Sequence, residues 1–227
     1  MTKNKTILAI DTALGGVSVG LTSTTQTVSR MIETEREQAS ILAPTIQEVM
    51  EEGETDFAAL DMIACTRGPG SFTGLRIGLT TARTMAMALN MPVIGLNTLD
   101  VMARHYQADK NLLIVLETKR QDFYARFYNK DYQPITEPVA LSAEEILNQA
   151  PEGNFIVGGD CLERFKGLAE QDLEYLEEYK QPDPILIAQL GLEAFVREGD
   201  QGKPKPLYLR GADVSQPKNP PRKLAEA

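Results

Sequence analysis

Residues 65–79, CTRGPGSFTGLRIGL, constrain the fold of this chain more than any other segment. They join the end of an apolar run to a turn rich in glycine, and the turn leads directly into a helical pattern. A turn of this kind brings backbone N–H groups close to an anion or to another chain, because glycine has no Cβ. If the turn binds phosphate, we expect an enzyme. If it contacts another chain, we expect a binding protein.

The glycine spacing in this turn does not match the known phosphate-binding motifs. A P-loop requires GxxxxGK[ST], whereas Gly70 and Gly74 are one residue too close and are followed by Leu75 and Arg76. The series that begins at Gly68 is also one residue off the dinucleotide motif GxGxxG. No carboxylate closes a second strand about 20 residues further on, as that motif requires. The turn is therefore expected to be a structural loop: Gly68, Pro69 and Gly70.

The helix after the turn carries a face of small residues. Gly74, Gly78 and Ala82 recur every four residues and therefore lie on one side of the helix. Such a face lets a neighbouring helix approach closely. From the pattern alone, the neighbour is either a helix of another protein or a part of this chain.

Strand and helix patterns alternate along the chain after an opening hairpin. Apolar or alternating runs predict strands at 7–10, 17–21, 28–32, 62–65, 92–95, 112–116, 123–128 and 154–159. Helical spacing is found at 38–50, where Pro44 predicts a kink or a restart, from the glycine turn to 89, at 141–148 and at 185–197. Ser142 and Glu145 form a capping-box pattern.

This alternation predicts an α/β fold. Because a strand–turn–strand opening occurs twice, we expect two duplicated subdomains, residues 1–103 and 104–210, followed by a loosely held tail at 211–227.

Composition restricts the compartment and the partners. With 42% hydrophobic residues and a net charge of −9, the chain has no general attraction to nucleic acid. No segment approaches the roughly 20 apolar residues of a membrane helix, and no signal peptide is visible, so we expect a cytoplasmic protein without membrane contact. Cys65 and Cys161 match no metal or redox pattern and are expected to be buried.

Candidate catalytic residues are few. Asp11 and Thr12, at the end of the first strand, either hold a metal–nucleotide complex or cap a turn. The corresponding turn of the second half, 117–122, contains no glycine, so side chains occupy the space where backbone would meet phosphate. His105 is the one histidine, cannot build a multi-histidine metal site and is expected at the surface. Ser71 has no histidine to act as its base.

Several motifs together resemble the TsaB family, also called YeaZ. They are IDT at 10–12, SVG at 18–20, RGPGSFTGLRIG at 67–78, NTL at 97–99 and PLYLR at 206–210. The central block is specific, and the resemblance extends over nearly the whole chain. It implies an actin-like ATPase (ASKHA) fold of two related subdomains. It also implies an accessory role in the bacterial synthesis of threonylcarbamoyladenosine in tRNA.

The resemblance further implies that this chain supports catalysis and does not perform it. In that family the catalytic subunit is the paralogue TsaD, which carries histidine metal ligands on a helix. The corresponding stretch here, 36–44, contains Gln38 and no histidine. ATP and a metal ion are accordingly expected in the partner subunits, and no cofactor is expected on this chain alone. The turn ETKR at 117–120 also departs from the family, which commonly has DARR.

The resemblance places the contact with the TsaD-like partner on the helices around 37–50 and 73–89. A TsaE-like ATPase is expected to join the assembly, and tRNA is expected to bind only through the complex. Because the partners are paralogues, the isolated chain is expected to form a homodimer through the same surface. The expected contact residues are Gln38, Ile41, Leu42, Thr45, Gly74, Gly78, Ala82 and Met85.

The main alternative is an ATP-dependent phosphotransferase of the same fold, in which Asp11 would position magnesium. A peptidase is a weaker alternative, because no nucleophile–base pair is visible in the sequence.

Overall fold

Two five-stranded mixed sheets form the framework of the chain in a computed structural model that describes residues 5–34, 36–169 and 171–210. The strands of the first sheet are β1 Ile7–Asp11, β2 Gly16–Thr22, β3 Thr27–Glu33, β4 Met62–Thr66 and β5 Val93–Leu96. Their order is β3-β2-β1-β4-β5. Strands β1, β2 and β3 pair antiparallel, whereas β4 and β5 continue the sheet in parallel from β1.

The second sheet repeats this arrangement. Its strands are β6 Asn111–Glu117, β7 Phe123–Tyr128, β8 Val139–Leu141, β9 Phe155–Gly159 and β10 Glu174–Glu178. The order β8-β7-β6-β9-β10 has the same sequence of connections and the same mixture of antiparallel and parallel pairs. The shared topology confirms the predicted fold class, a duplicated α/β fold with helices flanking both sheets.

The helices fill the connections between these strands. They are α1 Gln38–Glu52, α2 Phe72–Leu89, α3 Thr98–Ala103, α4 Ala143–Asn148, α5 Leu162–Leu168 and α6 Pro184–Glu198. Helix α1 continues through the exposed Pro44, so the predicted restart does not occur. The capping box of Ser142 and Glu145 is present at the start of α4, as predicted. None of the described helices has the length and apolar content needed to cross a membrane.

Strand alternation decides which helix covers which side of the first sheet. Leu8 and Ile10 pack in one core with α1 and α2, whereas Ile7 and Ala9 pack on the opposite side with α6. Helix α6 thus belongs to the second half of the sequence but lies against the first sheet. The boundary between two subdomains at residue 103 stays a prediction. The predicted tail at 211–227 lies outside the described residues.

A third core joins the two sheets. Ala13 and Leu14, from the turn after β1, pack with Leu75 of α2 and with residues of α3 and β6. Burial of apolar side chains from both halves stabilises their contact by about 25 cal/mol for each Å² removed from water. The turn after β1 therefore packs against residues of both halves.

Candidate functional site at the end of the first central strand

Asp11 is the last residue of β1 and is 1% exposed. Its Oδ1 atom accepts hydrogen bonds from the Thr66 hydroxyl and, at 3.1 Å, from the backbone N–H of Ala13. Its Oδ2 atom is buried and has no hydrogen-bond partner among the described residues. Burial in this position raises the pKa of Asp11 from 3.8 to about 6, because desolvation penalises the charged form.

Asp11 and Thr12 do not form an open nucleotide site in this conformation. Thr12 is also 1% exposed, and its hydroxyl donates a hydrogen bond of 2.6 Å to the carbonyl oxygen of Gly74. The bond from Ala13 to Asp11 is the turn-capping arrangement that the sequence left open as an alternative. Over the described ranges, no group of three or more His, Cys, Asp or Glu side chains could hold a metal ion.

The loop Gly68–Pro69–Gly70 packs closely on other parts of the chain. Gly68 has a φ of +108°, and a Cβ there would lie 2.6 Å from the carbonyl oxygen of Leu207. A Cβ on Gly70 would overlap the carbonyl oxygen of Ala13, whose oxygen also accepts a 2.7 Å hydrogen bond from the N–H of Ser71. Ser71 caps α2 by accepting a 3.2 Å bond from the N–H of Gly74. The glycines of this loop thus allow close contacts with other parts of the same chain.

The small-residue face of α2 points into the molecule. A Cβ added to Gly74 would overlap the backbone of Thr12, and one added to Gly78 would overlap the Thr12 hydroxyl. Ala82 is completely buried in the core of the first sheet. Of the two alternatives left by the sequence, packing within this chain is the one observed. The periodicity located the face correctly but carried no information about which neighbour it meets.

Three expected contact residues of α1 are buried as well. The Gln38 side-chain Nε2 lies 3.3, 3.2 and 2.9 Å from the carbonyl oxygens of Thr12, Leu14 and Gly16 and donates to them. Leu42 lies in the core, and the buried Thr45 hydroxyl donates to the carbonyl oxygen of Ile41 in its own helix. Six of the eight expected contact residues are thus buried in this chain, and their role in a partner contact stays a prediction: Gln38, Leu42, Thr45, Gly74, Gly78 and Ala82.

The surface that α1 and α2 offer consists of other residues. Ile41 and Met85, from the expected set, are half-buried and keep part of their surface outside. We define the outer face of these helices by six exposed, uncharged residues: Ala43, Pro44, Thr73, Thr80, Thr84 and Met87. Met87 is 65% exposed, the largest value among the exposed large hydrophobic residues. The expected contact set contains none of these six residues, although they lie on the side opposite the small-residue face.

His105 is half-buried, so the prediction of a surface position is wrong. Its Nε2 atom accepts a 2.8 Å hydrogen bond from the backbone N–H of Asp183, directly before α6. Its ring centroid lies 4.7 Å from that of Tyr179. Burial lowers the pKa of His105, and the nearby Asp183 opposes this shift. The neutral imidazole therefore connects the segment after α3 to the start of α6.

Side chains fill the glycine-free turn after β6. The Arg164 guanidinium lies 3.1 Å from the carboxylate of Glu117 and 3.9 Å from the ring centroid of Phe123. The N–H of Glu117 donates a 2.8 Å bond to Oδ1 of Asp160, and burial raises the pKa of Asp160 to about 7. Asp122 pairs with Arg210. The acidic side chains of this turn are thus engaged in ion pairs within the chain.

Cys65 and Cys161 are buried free thiols, as predicted.

Comparison with known proteins agrees with this architecture. The structure described as YeaZ from Pseudomonas aeruginosa superimposes with a TM-score of 0.79, covering 90% of this chain and 100% of that chain at 23% identity. This match shows that the two proteins share their fold.

Two curated relatives bear the name tRNA threonylcarbamoyladenosine biosynthesis protein TsaB. The Escherichia coli relative is 30% identical over 149 residues, which cover 63% of this chain and 64% of that protein. The Haemophilus influenzae relative is 25% identical over 239 residues, which cover 97% of this chain and 99% of that protein. The chain spans about three fifths of the length of several such relatives, including those from Buchnera aphidicola.

A family model described as TsaD: tRNA N6-adenosine threonylcarbamoyltransferase matches residues 32–155. The matched segment is more than half of the 227-residue chain. It includes α1, the glycine loop, α2 and the first strands of the second sheet. The chain therefore belongs to the family described by this model, and its resemblance to the TsaB/YeaZ proteins is confirmed.

Proposed function

We propose that this chain is a non-catalytic subunit in the synthesis of threonylcarbamoyladenosine in tRNA. It binds a TsaD-like catalytic paralogue and activates transfer of the threonylcarbamoyl group to the adenosine next to the anticodon, in tRNAs that read codons starting with A. The names of the E. coli and H. influenzae relatives support the pathway. The match to the TsaD family model supports a paralogous partner of similar fold.

The outer face of α1 and α2 carries the proposal of a partner surface. The whole of α2 contains no Asp or Glu in a chain of net charge −9, and its exposed side chains include Arg76 and Met87. Protein–protein contacts are typically enriched in Met and Arg and depleted in Asp and Glu. The exposed thioether of Met87 can adapt its shape to a partner. We infer that this face contacts the TsaD-like partner and, in its absence, a second copy of this chain.

The closed state of Asp11 and Thr12 supports a non-catalytic role. Both side chains are buried and hydrogen-bonded within the chain, so an incoming phosphate would have to displace these contacts. We therefore assign ATP and the metal ion to the partner subunits, with a TsaE-like ATPase in the assembly and tRNA bound by the complex in the cytoplasm.

The experiment compares two exposed hydrophobic residues on opposite sides of the first sheet. Met87→Glu places a charge on the outer face, whereas Val196→Glu places one on α6, where Val196 is 57% exposed. In a system reconstituted with the TsaD-like partner, Met87→Glu should reduce modified tRNA formation and partner binding about tenfold, since burying an unpaired charge costs more than 1 kcal/mol. Val196→Glu should retain both. Full activity of the Met87 variant, or equal loss in both folded variants, contradicts the proposal.

An ATP-dependent phosphotransferase is the second candidate, and the unpaired Oδ2 atom of Asp11 favours it. A carboxylate oxygen without a partner could accept a magnesium ion if the turn after β1 opened. Calorimetry of the isolated chain with ATP and magnesium tests this candidate. Tight binding with turnover that is lost in Asp11→Ala would favour the phosphotransferase over the scaffold.

A further inference from the structure

A cleft of about 590 Å³ lies beside the end of β5, away from Asp11 and Thr12. Its walls are the first residues of α3, the end of α6 and the segment that follows α6. Five cationic side chains line it, namely Arg67, Arg126, Arg197, Lys203 and Lys205. Three carboxylates, Asp100, Glu137 and Glu198, line it as well.

Ion pairs neutralise two of the five cations. Arg126 Nη1 lies 2.9 Å from Oδ1 of Asp100, and Arg197 Nη2 lies 2.6 Å from Oε1 of Glu198. The other three cations, Arg67, Lys203 and Lys205, form no ion pair with any residue in the described part of the chain. Glu137 is the one lining carboxylate left to oppose them, so the cleft has an excess of positive charge in an acidic protein.

The backbone holds Arg67 firmly at the base of this cleft. Its N–H donates a 2.8 Å bond to the carbonyl oxygen of Leu96, and its carbonyl oxygen accepts a 2.6 Å bond from the N–H of Leu207. The residue belongs to the conspicuous glycine block of the sequence, yet the protein contacts described above do not use its guanidinium. Arg67 is half-buried and lines the cleft.

Gly95 allows the segment after α6 to pack beside Arg67. A Cβ on Gly95 would overlap Pro204 and would lie 3.2 Å from Cδ of Arg67. Pro204 therefore packs against the end of β5, and it holds the flanking Lys203 and Lys205 at the rim of the cleft. Three unpaired cations from two distant parts of the sequence thus line one cleft.

We propose that this cleft binds a phosphate group, carried either by a free nucleotide distinct from the ATP assigned to the partner subunits or by the backbone of the tRNA that the complex holds. A guanidinium matches two phosphate oxygens with parallel N–H donors, and two ammonium groups supply further charge. The volume lies within the range of small-molecule sites. The inference concerns this chain alone and does not depend on the proposed partner contact.

Binding to the ¹⁵N-labelled full chain tests the proposal, with inorganic phosphate, ATP and an unmodified tRNA transcript as separate probes at low salt. Amide shifts are expected at Arg67, Gly95 and the non-proline residues of 201–207. Lys203→Gln/Lys205→Gln should weaken binding at least tenfold, because it removes two of the three unpaired cations that attract the phosphate. Lys203 and Lys205 are exposed, so the double variant should fold normally. Lys130→Gln, at an exposed lysine outside the cleft, is the matched control and should bind as the wild type does.

The three probes distinguish the source of the phosphate. Binding of phosphate and ATP without tRNA identifies a nucleotide site. Tighter tRNA binding, with a salt dependence whose slope falls by about one for each lysine removed, identifies the RNA backbone. The proposal is overturned if no probe shifts the cleft amides, or if the double variant binds as tightly as the Lys130 control. Either result leaves the partner-dependent modification assay unaffected, so the two proposals fail independently.

Discussion

Thr12 donates its hydroxyl hydrogen to the carbonyl oxygen of Gly74 over 2.6 Å, which joins the end of β1 to the first turn of α2. The absent side chains of Gly74 and Gly78 leave the space that Thr12 occupies. The specific glycine block of this family therefore fixes α2 on the central strand. The partner surface that we propose lies on the other side of the same helix.

Gly78→Ala should destabilise the chain. The new Cβ would overlap the Thr12 hydroxyl, and forcing extra atoms into a packed interior costs about 1–3 kcal/mol. The free energy of unfolding, measured by urea denaturation, should fall by this amount even though alanine favours helix formation.

Gly167→Ala is the matched control for this substitution. Gly167 lies inside α5, and a Cβ there would meet nothing within 4 Å. The control should be neutral or more stable by up to about 1 kcal/mol, because alanine has the higher helix propensity. Equal stability of the Gly78 and Gly167 variants would show that the Thr12 contact does not restrict α2.

Gln38→Leu should destabilise the chain by about 1–3 kcal/mol, since it leaves buried carbonyl oxygens of the turn after β1 without a donor. Gln47→Leu on the same helix is the control, because Gln47 is exposed and bonds only to Glu51 four residues on. Urea denaturation of both variants measures the difference. A Gln38 variant as stable as the Gln47 variant would contradict the structural role of Gln38.

Asp11 should make the chain less stable as the pH rises from about 4 to 6. The folded pKa of about 6 lies above the ordinary value of 3.8, so the folded state retains a proton that the unfolded state releases. The free energy of unfolding should fall by about 3 kcal/mol across this window.

Asp11→Asn should remove that part of the pH dependence, whereas the contribution of Asp160, whose pKa is about 7, should persist. Carbon NMR of the Asp11 carboxyl group provides a direct measurement. A titration midpoint near 4 in the folded chain would disprove the assignment.

His105 should have the opposite effect on the pH dependence of stability. Burial lowers its pKa below 6.5, so the unfolded state takes up a proton more readily, and stability is lost as the pH falls below about 6.5. Protonation would also remove the acceptor that holds the N–H of Asp183. The chain contains one histidine, so its Hε1 resonance is unambiguous and its midpoint should lie below 6.5. A midpoint at or above 6.5 would contradict the buried, neutral imidazole.

Much of the fold could be predicted from local pattern. The apolar runs identified most strands, and helical spacing identified α1, α2, α4 and α6, because these elements bury one continuous face. The pattern missed β8, β10, α3 and α5. These elements have three to seven residues, and β8 and β10 include no fully buried residue, so they carry little periodic signal.

The sequence by itself determined the duplicated α/β architecture, the specific glycine block and the small-residue face, since spacing along a helix or strand sets which residues share a side. Only the tertiary structure decided that Gly78 and Gln38 face inward, that α6 returns to the first sheet, and that Arg67, Lys203 and Lys205 line one cleft. Those outcomes depend on contacts between segments far apart in the chain. The periodicity of a segment shows which residues share a face, but it does not show which distant segment that face contacts.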